Sequence, residues 1–190
     1  MNTQKIAAIA LIIGSIFFLV AAFSPVSMAF FTERDEVTRL EIALDNRRAW
    51  TVSQILFSLG AVVAAVGIGL ASYHFRSLAG PVLPFLAVAV VVAGAAFWSW
   101  HVYLRTVDPA ALVEGTLPAW YFIAYTLLTQ VGLITFGILL LRAAIPGWVG
   151  WVVIGGAILL FTVYLIVKDV PPFLYYILTL LMGIMMIRTG

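Results

Sequence analysis

The sequence contains no cysteine, which excludes disulfide bonds, thiolate catalysis and metal or iron–sulfur sites held by cysteine. Charge is also scarce, because only 9% of the 190 residues are charged, against about 25% in a soluble domain. A net charge of +2 is too small to indicate nucleic acid as a partner. Hydrophobic residues make up 64% of the chain, so we expect it to be surrounded by a lipid bilayer.

Long uncharged runs predict an all-α fold, a polytopic transmembrane bundle of six helices. Strands are disfavoured because these runs are continuously apolar, whereas the strands of a membrane barrel alternate. The first run is longer than the apolar core of about 7–15 residues in a signal peptide, so we expect it to be retained as a span. The predicted spans, which form one integral membrane domain over residues 1–190, are 6–23, 50–73, 82–103, 119–141, 148–167 and 173–187.

The connector after the first span, residues 32–48, holds nine of the eighteen charged residues. Val37, Leu40 and Leu44 recur in it at helical spacing, which gives one apolar face. The pattern predicts a short amphipathic helix lying at the membrane interface. The alternative is a solvated, charged connector without a preferred surface.

Charge is distributed unequally between the two ends of the predicted spans. With six spans, the end that carries both termini has four basic residues and no acidic one, namely Lys5, Arg76, Arg142 and Arg188. The other end has six basic residues together with all eight acidic ones, and five of those six basic residues have acidic neighbours. Although the positive-inside rule counts only basic residues, we give weight to this neutralisation and expect both termini to be cytoplasmic.

Several kinds of chemistry lack the residues they need. No carboxylate lies inside a predicted span, which argues against a proton-driven transporter, and no predicted span contains lysine or arginine. The two histidines, His74 and His101, fall at opposite ends of their spans, so they cannot share one metal ion. A haem site with a single histidine, or an interfacial anchor, stays open for His101. No serine lies in a GxSxG motif, so a hydrolase has no support.

In the third, fourth and fifth predicted spans, aromatic and polar side chains become more frequent toward the membrane side opposite the N- and C-termini of the chain. Trp98, His101 and Arg105 share one helix face, and Gln130 lies near mid-span, where its amide needs a partner on another helix. These residues predict a pocket for a small hydrophobic or amphipathic ligand, although an ordinary interfacial aromatic belt would show the same pattern. The expected ligand-binding residues are Trp98, His101, Arg105, Tyr121, Tyr125, Gln130, Phe161, Tyr164 and Lys168.

Three segments resemble a known family of membrane proteins. They are LFSLGAVVAAVGIGLASYHFR (56–76), IPGWVGWVVIGGAILL (145–160) and PPFLYYILTLLMGIMMIR (171–188). They are similar to the multi-pass bacterial membrane proteins grouped as domain of unknown function 4386. The resemblance implies a six-helix bundle in a bacterial plasma membrane. It implies no activity and no functional residues.

The sequence therefore predicts a non-catalytic membrane protein. It would bind a small hydrophobic or amphipathic ligand, or would serve as a subunit beside a membrane partner. The second interpretation is a small transporter or channel, which would have to form a homo-oligomer. A membrane enzyme ranks third, because no nucleophile, acid–base pair or metal-ligand set can be recognised. No cofactor is identified.

Overall fold

The computed structural model describes residues 2–143, 145–167 and 170–189, and within these ranges the secondary structure is helical without any strand. The ten helices of these ranges are α1 (Thr3–Ala22), α2 (Pro25–Thr32), α3 (Glu36–Asp45), α4 (Arg47–His74), α5 (Arg76–Ala79), α6 (Val82–Val107), α7 (Pro109–Val113), α8 (Trp120–Leu141), α9 (Gly147–Val167) and α10 (Phe173–Thr189). The prediction of an all-α fold is confirmed.

Five of the described helices, α1, α4, α6, α8 and α9, are long and apolar enough to cross a membrane. Such a set is typical of a multi-pass membrane protein. The sixth apolar helix, α10, has 17 residues. At 1.5 Å per residue it is about 26 Å long, slightly less than the hydrocarbon core of about 30 Å. The crossing of the membrane by α10 therefore stays a prediction.

The six apolar helices form a ring in chain order. Helix α1 packs against α4, α4 against α6, α6 against α8, and α8 against α9. Helix α10 packs against α1, whereas its contact with α9 is slight. The side-chain amide of Gln4 donates to the carbonyl oxygen of Met186 at 2.9 Å, so the start of α1 and the end of α10 lie at the same end of the ring. We call this end the terminal face and the opposite end the cap face.

Three short helices, α2, α3 and α7, pack together over the cap face. They enclose a small hydrophobic core that is separate from the core of the ring and consists of Val26, Phe30, Ala43, Trp50 and Val113. Trp50 belongs to the first turns of α4, so this core joins the cap to the spanning helices. The cap closes the end of the ring where the sequence predicts a pocket mouth.

Helix α3 is the short helix predicted after the first span, and its existence is confirmed. Asp35 caps its N-terminus: the backbone N–H and then the hydroxyl of Thr38 donate to the Asp35 carboxylate, and these bonds lower the pKa of Asp35. The expected apolar face divides, because Leu40 packs into the cap core while Val37 and Leu44 stay exposed. The cap core is small and takes only one side of the helix.

Helices α1 and α4 touch through their backbones. A Cβ atom at Gly14 would lie only 2.5 Å from the Ala64 nitrogen and 2.8 Å from the Gly60 oxygen, so neither helix has room for a side chain there. Small residues allow this close packing between helices in membranes. One turn after Gly14, Phe18 enters the centre of the ring and stacks on Tyr176 with 3.7 Å between ring centroids.

We expect Gly14→Ala to lower the stability of the bundle by about 1–3 kcal/mol, because the added methyl group forces two backbones apart. Unfolding of the detergent-solubilised protein measures this change. The matched control is Gly155→Ala on α9, where a Cβ atom meets nothing within 4 Å. Equal stability of the two variants would contradict the close crossing of α1 and α4.

Candidate functional site

An aromatic cluster fills the centre of the ring in the half nearer the cap. Its middle member is Trp98, whose ring centroid lies 4.5 Å from that of Tyr125, 5.5 Å from Phe18 and 6.0 Å from Phe57. The indole N–H of Trp98 donates to the Phe57 carbonyl oxygen at 3.3 Å. Because Phe18 also stacks on Tyr176, side chains from α1, α4, α6, α8 and α10 meet in one buried group.

A polar group lies between this aromatic cluster and the cap, and we call it the arginine cluster: Arg105, Gln54 and His101. Arg105 is only 4% exposed, and its Nε atom donates to Gln54 Oε1 at 2.5 Å. The guanidinium carbon lies 4.9 Å from the ring centroid of Trp98 and 5.0 Å from that of Phe57. His101, 8% exposed, lies one turn earlier on α6. A cation is thus held among aromatic rings with one amide as its partner.

The arginine cluster has polar atoms without partners. Arg105 Nη2, Gln54 Nε2 and His101 Nδ1 are buried and have no hydrogen-bond partner within the described part of the chain, and neither has Trp50 Nε1. Nor does Arg105 form a salt bridge with any residue in the three described ranges. A buried polar group without a partner costs about 1–3 kcal/mol, and more when it is charged. An ionisable group inside a spanning helix is therefore a candidate functional residue.

The structure corrects the sequence interpretation of Arg105 and His101. The predicted span ended at residue 103, which placed Arg105 at an exposed mouth and left the spans without arginine. In the structure α6 continues to Val107, and α2 brings Phe31 to 5.8 Å from the Arg105 guanidinium carbon. Both residues lie inside the protein because the cap adds apolar material above the predicted end of the span.

Two expected residues of α8 occupy different surroundings. Gln130 is buried, and its Nε2 donates to Tyr175 Oη at 2.9 Å, which confirms that its amide joins two helices. Tyr121 is only half-buried and packs against Trp120, with 3.8 Å between ring centroids, at the outer edge of α8. Gln130 thus belongs to the interior of the ring, whereas Tyr121 does not join the Trp98 cluster.

The expected residues from the fifth span are not brought to the aromatic cluster. Tyr164 is buried and Phe161 half-buried on α9, but within the described residues neither forms a ring–ring contact with Trp98 or with the aromatic residues around it. Lys168 lies outside the described residues. Besides α6 and α8, the helices that contribute to the aromatic cluster are α1, α4 and α10. In the arginine cluster, Gln54 is the polar residue that the sequence analysis missed. Its signal was an amide within an apolar run, one turn after Trp50.

A small cavity of about 20 Å³ lies next to the aromatic cluster, on its side toward the terminal face. This is room for about one water molecule, which needs about 10–15 Å³. Tyr125 is the expected site residue that lines it. Its other walls include alanines of α4 and α6, larger aliphatic side chains, and hydroxyl-bearing residues of α8 and α10, among them Ala65, Ala95, Thr129 and Thr179.

Neither a metal-ligand group nor a similar protein helps to assign a function to this site. Within the described residues no group of three or more histidines and carboxylates could hold a metal ion. No protein-family model, curated protein or solved structure matches the chain. The family resemblance stays a prediction, and the geometry of the arginine cluster is the observation from which a function can be proposed.

We expect Gln54→Leu to destabilise the protein by about 1–3 kcal/mol, because it removes the one acceptor that the described residues offer to the buried Arg105 guanidinium. The double variant Gln54→Leu with Arg105→Met should regain most of the lost stability, because an apolar pair replaces both partners. Detergent unfolding curves of the two single variants and the double variant give the coupling. Additive effects would contradict the Gln54–Arg105 pairing.

Proposed function

We propose that the protein is non-catalytic and binds a small amphipathic molecule whose anionic head group, a carboxylate or a phosphate, pairs with Arg105. The observation that carries this proposal is the buried guanidinium without an acidic partner in the described part of the chain. A buried charge without a counter-charge is costly, and an anionic ligand would remove that cost.

The donor pattern of the cluster suits an anion. Arginine has only donors, so Gln54 presents its oxygen to Arg105 and directs its amide nitrogen elsewhere. The free Arg105 Nη2 and Gln54 Nε2 can then donate to one carboxylate or phosphate, which guanidinium groups bind through two parallel bonds. His101 Nδ1 is the third unpartnered atom of the cluster and donates when it carries the proton.

The surroundings of the cluster suit the apolar part of the same molecule. Trp98 and Phe57 form an aromatic floor beneath the guanidinium, and Phe31 of α2 covers it from the cap side. Phe31 is 50% exposed, so it is the covering side chain with most freedom to move. A ligand reaches Arg105 when Phe31 and α2 move aside, and its chain then takes the place of Phe31.

We expect wild-type protein in phosphatidylcholine nanodiscs to bind radiolabelled palmitate or hexadecyl phosphate, and Arg105→Met to weaken that binding about ten- to a hundredfold. A hydrogen bond to a charged group contributes about 1.5–3 kcal/mol, which gives this range. Comparison of the two probes distinguishes carboxylate from phosphate recognition. Stability without ligand should change little in Arg105→Met, since removal of the buried charge offsets the loss of its hydrogen bond to Gln54.

The matched control for this experiment is Arg76→Met. Arg76 is an exposed arginine at the terminal face, with its guanidinium over the Tyr73 ring at 3.7 Å. This variant should bind both probes as the wild type does, and hexadecanol should bind wild type and Arg105→Met equally. If Arg105→Met keeps full affinity for both anionic probes, the proposed function is wrong.

We further propose that the chain lies in a bacterial plasma membrane with both termini cytoplasmic. The support is the charge pattern: the four basic residues of the terminal face have no acidic neighbours there, whereas five of the six basic residues at the other end do. The bacterial origin follows only from the family resemblance. In this orientation the cap and the arginine cluster lie toward the outer leaflet.

The absence of native cysteine allows a direct test of the orientation. We expect an impermeant thiol reagent on intact cells to label Asp35→Cys, which lies in the cap, and not Thr189→Cys at the terminal face. Labelling after permeabilisation is the control, and both variants should then react. Labelling of position 189 alone on intact cells would reverse the orientation.

A further inference from the structure

A groove runs between α4 and α6 on the outer surface of the ring, and we call it the lateral groove. Its volume is about 470 Å³, within the range of about 300–1,000 Å³ for ligand pockets. Every residue that lines it is apolar, and the set is Val62, Ala65, Val66, Gly69, Leu70, Val88, Val92, Ala95 and Ala96. The groove exists because small residues leave space between two packed helices.

The ends and the floor of the lateral groove have distinct features. Toward the cap, one turn before Val62, the Ser58 hydroxyl donates to Ser99 Oγ at 2.8 Å and joins α4 to α6. The floor is formed by the nearly buried Ala65 and Ala95, which also line the central cavity. The groove therefore reaches the inner layer of the ring and is more than a shallow depression of the surface.

The dimensions of the lateral groove favour a narrow occupant. Packed helices have axes about 8–10 Å apart, and a further helix with its side chains is about 10–12 Å wide. Such a helix would rest on the rim valines, Val62, Val66 and Val92, and would leave the alanine floor empty. A single hydrocarbon chain can lie on the floor, and without it the lining atoms lose their dispersion contacts.

We infer that the lateral groove is a binding site for one acyl chain of a bilayer lipid. The chain lies along α4 and α6 below the Ser58–Ser99 bond, and its inner side contacts the methyl groups of Ala65 and Ala95. Because none of the described side chains that line the groove is polar, it recognises the chain and not the head group. The site is independent of Arg105, which follows Ala96, the last groove residue of α6, by nine residues, or about 13.5 Å at 1.5 Å per residue.

The test uses protein reconstituted in phosphatidylcholine vesicles that contain phosphatidylcholine with a diazirine at the middle of one acyl chain. After irradiation, mass spectrometry maps the modified residues. We expect modification at Val62, Val66 and Val92 to exceed that at the exposed Ile158 and Leu159 of α9 at least threefold. Equal modification of α4, α6 and α9 would show ordinary lipid contact and overturn the proposal.

Two matched variants show whether the groove itself is responsible. A Cβ atom at Gly69 or at Gly155 meets nothing within 4 Å, so leucine should fit at both positions without disturbing the fold. Gly69→Leu fills the lateral groove and should reduce the modification to the level of α9, whereas Gly155→Leu should leave it unchanged. Unchanged modification in Gly69→Leu would count against the site.

The remaining alternatives also have their own outcomes. Rapid disulfide-linked dimerisation of Val66→Cys, with the groove protected from the lipid probe, would assign it to a second copy of this chain and overturn the proposal. Arg105→Met should keep the wild-type modification. The acyl-chain site and the proposed anion site can therefore fail separately.

Discussion

The backbone contact between α1 and α4 at Gly14 and Gly60 is the constraint on which the interior of this protein depends. In lipid, helices gain little from burying apolar surface, so close packing has to hold them together. The glycines bring α1 so near that Phe18 reaches the axis of the ring and stacks on Tyr176. Trp98 packs against Phe18, and Arg105 lies over Trp98. A tight crossing of two helices thus positions the floor of the candidate site.

The arginine cluster combines interactions that only partly compensate for burial of its charge. Aromatic faces attract a desolvated cation by about 2 kcal/mol, and Gln54 supplies one acceptor. Removal of an ion from water costs several kcal/mol, and the rings and the amide bring no opposite charge. The cap increases this desolvation cost. It covers Arg105, which would lie in water at the end of α6 if α2 did not pack above it. A buried charge whose cost is only partly compensated marks this region as a candidate binding site.

Sequence patterns predicted the long apolar helices, the short helix α3 and the inward face of α6, but not which helices would be neighbours. Continuous apolar runs had to be helical because lipid offers no partner for backbone groups, and Trp98 and Arg105 do point inward together. Tyr164 on α9 shows the same kind of pattern, yet the ring order leaves α9 beside α8 and away from the Trp98 cluster. Pro25 and Pro109 stand at the starts of α2 and α7, but no periodicity in segments this short predicts that α2 covers Arg105.

The slight contact between α9 and α10 makes this junction the weakest of the ring. Helix α9 is fastened on its other side, where Gly137 of α8 and Gly150 of α9 lie backbone to backbone. Regions with few buried contacts open at the lowest free energy. The ring can therefore part between α9 and α10 while its other five junctions stay closed, and a swing of α9 would uncover Gly156 and Leu178 without disturbing the helices that hold Arg105.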